Sequence, residues 1–129
     1  MVQILIGIFL ILHGLVHLLY TGQSWGLFKL RPGMIWPDGT WLLSRFLKTE
    51  MIRTLAAIGL VFASIGLITS AVGIFLEVGW WQYAAIASAG FSSLLFFVMW
   101  NGKFQGLDDQ GGFGVLINLA ILAIAWILY

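Results

Sequence analysis

The stretch "VQILIGIFLILHGLVHLLY", residues 2–20, decides the fold. It has no charged residue, and apart from Gln3 its strongly polar side chains are His13 and His17, the only two histidines of the chain. A helix that crosses a membrane needs roughly 17–25 mostly apolar residues, and this run supplies them. A secretory leader would begin with a basic region and end at a small-residue cleavage site. Residues 2–20 lack the first, and the "LYTGQSWG" that follows is a poor version of the second. The stretch is expected to stay as a helix.

The rest of the chain has the same character. Of 129 residues, 61% are hydrophobic and 9% charged, with a mean hydropathy of +1.03. Soluble domains carry about 25% charged and about 45–50% apolar residues, so the expected solvent is lipid. The net charge of +1 gives no basic field for nucleic acid, and the absence of cysteine excludes disulfides and thiolate chemistry. Three more spans are predicted, at about 54–76, 80–100 and 113–129. The fold class is all-α, an integral membrane four-helix bundle forming one domain. All six basic residues, Lys29, Arg31, Arg45, Lys48, Arg53 and Lys103, fall in or beside the first and third connections. The positive-inside rule makes that side cytoplasmic and puts both termini on the other side of a bacterial inner membrane. Trp25, Trp36, Trp41 and Trp100 would mark the inner interface; Trp80, Trp81, Tyr83, Trp126 and Tyr129 would mark the outer one.

The first connection is too long for a simple turn. "RPGMIWPDGT", residues 31–40, is rich in turn formers. "DGTWLLSRFLKTEMIR", residues 38–53, opposes Trp41, Leu42, Phe46 and Leu47 to Arg45, Lys48 and Glu50. It reads equally as an amphipathic interfacial helix and as an extension of the second span.

Between helices in lipid, small residues allow close approach. The second span carries Ala56, Gly59, Ala63, Gly66, Ser70 and Gly73 at alternating steps of three and four, a continuous packing seam. Gln3, Gly7, Leu10, Gly14 and His17 trace a similar stripe on the first span. Ala84, Ser88 and Ser92 do so on the third, and Gly114, Asn118 and Ala125 on the fourth.

His13 and His17 share a helix face, and Gly14 between them lets a neighbour or ligand approach. Asn118 is expected at similar depth, with Asn101, Asp108 and Asp109 at or just below it. Ionisable groups in a membrane are functional candidates by default. One reading is a polar pocket lined by His13, His17, Gly14, Asn118 and Asn101 that binds a quinone, a lipid, another amphiphile or a partner helix. A second is a metal site with His13 and His17 joined by Asp108 or Asp109. A third is haem, which one face of one helix can ligate from one side only, so that a monomer would use Met99 or no sixth ligand and a homodimer could supply a second imidazole. Against these stands a plainer one, in which both histidines hydrogen-bond across helices and hold the bundle together. "NGKFQGLDDQGGFG", residues 101–114, matches no phosphate-binding fingerprint and reads as a turn.

"GIFLILHGLVHLLY" (7–20), the span layout and "GLDDQGGFGVLINLAIL" (106–122) resemble the small four-helix bacterial membrane proteins of the DoxX-like type. They also resemble short bacterial proteins that carry loose permease labels. The resemblance implies an inner-membrane accessory or quinone-associated role and supplies no catalytic residue. The sequence thus favours a non-catalytic binding or accessory protein, with the bilayer and a homo-oligomer or larger membrane complex as partners. The alternatives are an oligomeric permease or channel, with histidines relaying protons, and a haem- or metal-dependent redox subunit.

Overall fold

The computed structural model describes residues 1–128. Tyr129, and with it the end of the expected fourth span, lies outside the described residues. The described residues form four α-helices and no strand: α1 (Val2–Ser24), α2 (Thr49–Phe75), α3 (Trp81–Val98) and α4 (Gly112–Ile127). The first three are long and apolar enough to cross a membrane. At about 1.5 Å per residue they measure roughly 34, 40 and 27 Å, against a hydrocarbon core of about 30 Å. The fourth, at 16 residues, is apolar but shorter than the usual minimum.

Each boundary has a local cause. α1 runs past residue 20 because the Thr21 hydroxyl donates back to the His17 carbonyl (3.1 Å), which keeps the polar end in the helix. It stops at Gly26 (φ 72°), where Leu27 N–H bonds the Gly22 carbonyl and Gly26 N–H that of Gln23. This is a Schellman ending, which needs a left-handed residue. α2 ends the same way, but its left-handed residue is Glu77 (φ 56°). α2 begins at Thr49, earlier than the expected 54, because Ile52 is buried and Asp38 grips Arg53 through two bonds of 2.8 and 2.6 Å. No amphipathic helix covers 38–53. Thr40 Oγ1 caps a single 3-10 turn, Leu43–Arg45, and Lys48 is extended. The second span reaches back only to Thr49, and residues 38–48 form neither of the two expected helices.

α1 packs on α2, α2 on α3, and α3 on α4. α2 is central, and its small residues serve both neighbours. Toward α3, a Cβ at Gly59 would meet Leu95 at 2.8 Å, and one at Gly73 would meet the Trp81 side chain at 2.9 Å. Ala56, Ala63 and Ser70 are buried along the same seam; Gly66 is half-buried and lies directly against Ser88. Toward α1, Ser64 Oγ donates to the Gly14 carbonyl at 2.8 Å. The α1 stripe holds from Gly7 to His17, but Gln3 is exposed.

Two apolar clusters result. Leu10, Leu67, Ala71, Ile74, Trp81, Ala85, Ala89, Ile121 and Ala125 fill one end. Met34, Trp36, Ile52, Ala56, Leu60, Phe96 and Met99 fill the other. The second contains part of the first connection, which folds back over the helix ends. Gln23 holds it there by donating to the Met34 and Trp36 carbonyls (3.3 Å each) and accepting from Leu30 N–H (2.9 Å). Trp36 and Trp81, expected as interface markers, are therefore core residues, while Trp25, Trp80, Tyr83 and Trp126 are exposed. The outer faces of the helices present Leu5, Phe9, Leu12, Phe62, Ile65, Leu94 and Leu119. An apolar surface that continuous suits lipid and would aggregate in water.

Candidate functional site: a closed polar node and an open aromatic cavity

On three helices the polar residues sit between the two apolar clusters: His13 and His17 after Leu10, Ser92 between Ala89 and Phe96, Asn118 before Ile121. All four are buried, with Ser92 and Asn118 wholly enclosed. His13 Nε2 lies 2.8 Å from Asn118 Oδ1, and Asn118 Nδ2 donates to Ser92 Oγ at 2.9 Å. His17 Nε2 lies 2.6 Å from Ser92 Oγ, and His17 Nδ1 lies 2.8 Å from the His13 carbonyl. The two imidazoles meet edge to face, 4.7 Å between centroids.

With both rings neutral, one arrangement of protons satisfies every contact. The His13 carbonyl can only accept, so His17 carries its hydrogen on Nδ1 and has a bare Nε2. Ser92 then donates to His17 Nε2 and accepts from the Asn118 amide, and Asn118 Oδ1 accepts from His13 Nε2–H. Each group gives one hydrogen bond and takes one in a single direction. Such a network is strong because burial penalises any unpaired member.

The sequence expectation that His13, His17 and Asn118 share a level holds, and Ser92 completes the set. The remaining expected members are elsewhere. Gly14 makes room for α2, since a Cβ there would sit 3.1 Å from Ile68 Cγ1 and 3.3 Å from the Ser64 carbonyl. Asn101 accepts from Lys103 N–H inside its own turn. Asp108 and Asp109 both bind Arg31, at 2.5 and 2.6 Å, on the exposed side of the first and third connections. This guanidinium bond, before any other influence, holds the Asp108 carboxyl below its usual range. No group of three or more metal-ligating side chains forms among the described residues, so the expected His13–His17–Asp108/Asp109 set is not assembled. Haem also fits poorly. His13 Nε2 and both nitrogens of His17 are engaged, and neither ring lines a described cavity.

The largest described cavity lies one residue further along α3. About 450 Å³ in volume, it is enclosed by α3, α4 and the turn between them. Phe96, Phe97, Trp100, Phe104 and Phe113 form its walls, and Ser93, Asp108 and Gln110 are its polar members. Phe97 and Trp100 lie 6.3 Å apart, and Trp100 meets Phe104 edge to face at 5.4 Å. Phe97, Phe113 and Leu116 are more than half exposed, so the cavity opens on the outer faces of both helices. Two polar atoms beside it, Ser93 Oγ and Gln110 Oε1, are buried without a hydrogen-bond partner among the described residues. Native proteins leave few such groups, and each one calls for a reason. A further cleft of about 390 Å³, between the first half of α1 and the second half of α4, is lined wholly by apolar residues such as Leu5, Phe9 and Ile124.

Sequence reading missed the aromatic cavity. Its signal was the run "LFFVMWNGKF", residues 95–104, where aromatic residues crowd the end of α3 beyond what one lipid-facing stripe needs. No family model, curated protein or solved structure matches the chain.

Proposed function

We propose that this chain is a multi-pass inner-membrane binding protein of the DoxX-like layout, and that it holds a small amphiphile in the aromatic cavity between α3 and α4. The carrying observation is one aromatic-walled space of about 450 Å³ between α3 and α4 that opens on the outer faces of both helices. Ligand sites are mostly apolar concavities of about 300–1,000 Å³ with a few convergent polar groups. The exposed apolar helix faces support the membrane setting, and lateral opening of the cavity suits a ligand that arrives from lipid. The cations gathered in the first and third connections support a cytoplasmic position for the cavity end, with both termini on the opposite side. In this reading His13, His17, Ser92 and Asn118 fasten α1 to α3 and α4 and leave the ligand to their neighbour.

Native mass spectrometry of protein released gently from its own membrane tests this. A bound small-molecule mass is expected, and it should vanish in Val115→Trp, which fills the cavity from α4. A bare protein, or a mass that survives in folded Val115→Trp, would overturn the reading.

A further inference from the structure

The charge at the cavity's rim and the character of its walls together select a class of ligand, given the proposed function on which this step rests. Asp108 is the only ionisable side chain in the lining, and it is 40% exposed, so an occupant can reach it. A single guanidinium nitrogen, Arg31 Nη1, serves both Asp108 Oδ2 and Asp109 Oδ1. Two carboxylates on one guanidinium leave one negative charge unmatched. Lys103, the cation of the same turn, is exposed, forms no ion pair among the described residues and stands outside the lining. The rim thus repels an anion and gives a neutral head no charge to pair with.

The walls point the same way. An aromatic ring attracts a cation lying over its face within about 6 Å of its centre, and Trp does so most strongly. Phe97 and Trp100 lie 6.3 Å apart and Trp100 and Phe104 5.4 Å, so one cation can come within reach of several rings. A primary ammonium would bring three N–H donors, which aromatic carbon leaves unpaired; a quaternary ammonium brings none. The exposed openings beside Phe113 and Leu116 give an apolar tail a route into lipid.

We infer that the α3–α4 cavity takes a quaternary-ammonium amphiphile, with its head among Phe97, Trp100 and Phe104 beside Asp108 and its tail in lipid. The ligand is a free cation rather than a choline phospholipid, whose phosphate would lie against the two carboxylates. Replacing the charged nitrogen by carbon keeps the shape and removes both attractions, which weakens binding by about tenfold.

The test uses the full chain in dodecyl maltoside micelles, with tritiated octyltrimethylammonium as the probe and empty micelles as the background. Unlabelled octyltrimethylammonium should displace the probe about tenfold better than its uncharged carbon isostere, 2,2-dimethyldecane, at equal mole fraction in the micelle. Octylphosphocholine, which sets a phosphate beside the same head, should displace no better than the isostere. Asp108→Asn should cut the advantage of the ammonium several-fold. Arg31→Gln, which leaves both carboxylates unmatched, should raise it, and a gain cannot come from misfolding. Val115→Trp should abolish saturable binding. The inference is overturned by equal potency of ammonium and isostere, by an advantage that neither Asp108→Asn nor Arg31→Gln moves, by octylphosphocholine matching the ammonium, or by saturable binding that survives in folded Val115→Trp. Each of these leaves the binding function standing. No saturable binding of the probe also overturns the inference, and the binding function then rests on the mass bound to the native chain and lost in Val115→Trp.

Discussion

The polar node and the aromatic cavity are one step apart on α3, from Ser92 to Ser93, about 100° around the helix. They treat polar atoms in opposite ways. Ser92 accepts from Asn118 and donates to His17, so nothing in its neighbourhood is left over. The Ser93 hydroxyl is as hidden from solvent but has no partner, and Gln110 repeats the pattern across the same space. A buried polar side chain, even an ionisable one, is thus not a sign of a binding site when its bonds close on its neighbours. A bond missing is no sufficient mark either, since Ser24 Oγ and Trp36 Nε1 are buried without a partner away from both regions.

The sharpest way to break this comparison is Asn118→Leu. It removes the acceptor of His13 and the donor to Ser92 at once, and should destabilise the fold by about 2 kcal/mol. The measurement is thermal unfolding in detergent. A variant as stable as the native chain would show that the node fastens nothing. Next in size is the serine pair. Ser92→Ala should lose about 1–2 kcal/mol, whereas Ser93→Ala should be neutral or slightly stabilising, because it deletes a group with no bond to lose. Equal effects in the two variants would erase the distinction.

The rim of the cavity offers a smaller test. Because Arg31 lowers the folded-state pKa of Asp108, this contact is intact above the ordinary value of 3.8 and is lost as the pH falls below it. Carbon-13 titration of the aspartates should show Asp108 protonating later than a free carboxylate, and Arg31→Gln should abolish the lag. The smallest effect lies far from both regions. Glu77 adopts the left-handed conformation at the end of α2, so Glu77→Gly should raise stability by about 0.5 kcal/mol without altering ligand binding.

Much of this was legible from residue type and spacing. The uncharged run of residues 2–20 announced α1, and the Ala/Gly/Ser seam announced which face of α2 would be buried. Asn118 could be placed opposite the histidines because helix register fixes depth. Spacing does not reveal who donates to whom, so Ser92 looked like packing, and for the histidines a ligand site and cross-helix hydrogen bonding stood side by side. Trp36 was misread because an aromatic residue in a connection resembles an interface anchor; only the backward fold of residues 30–36, held by Gln23, hides it. The cavity was invisible because an empty space arises from how α3, α4 and their turn diverge, and no single residue encodes that.

The direction of the node has one further consequence. A proton wire needs members that each receive a proton on one side and release it on the other, and its ends must lie at different depths. Here the last hydrogen, on His17 Nδ1, points at a peptide carbonyl, which cannot pass it on. That carbonyl belongs to His13, the residue whose ring opens the sequence. Two imidazoles that would otherwise stand as separate polar groups in an insulating layer are joined, with Ser92 and Asn118, into a loop of hydrogen bonds.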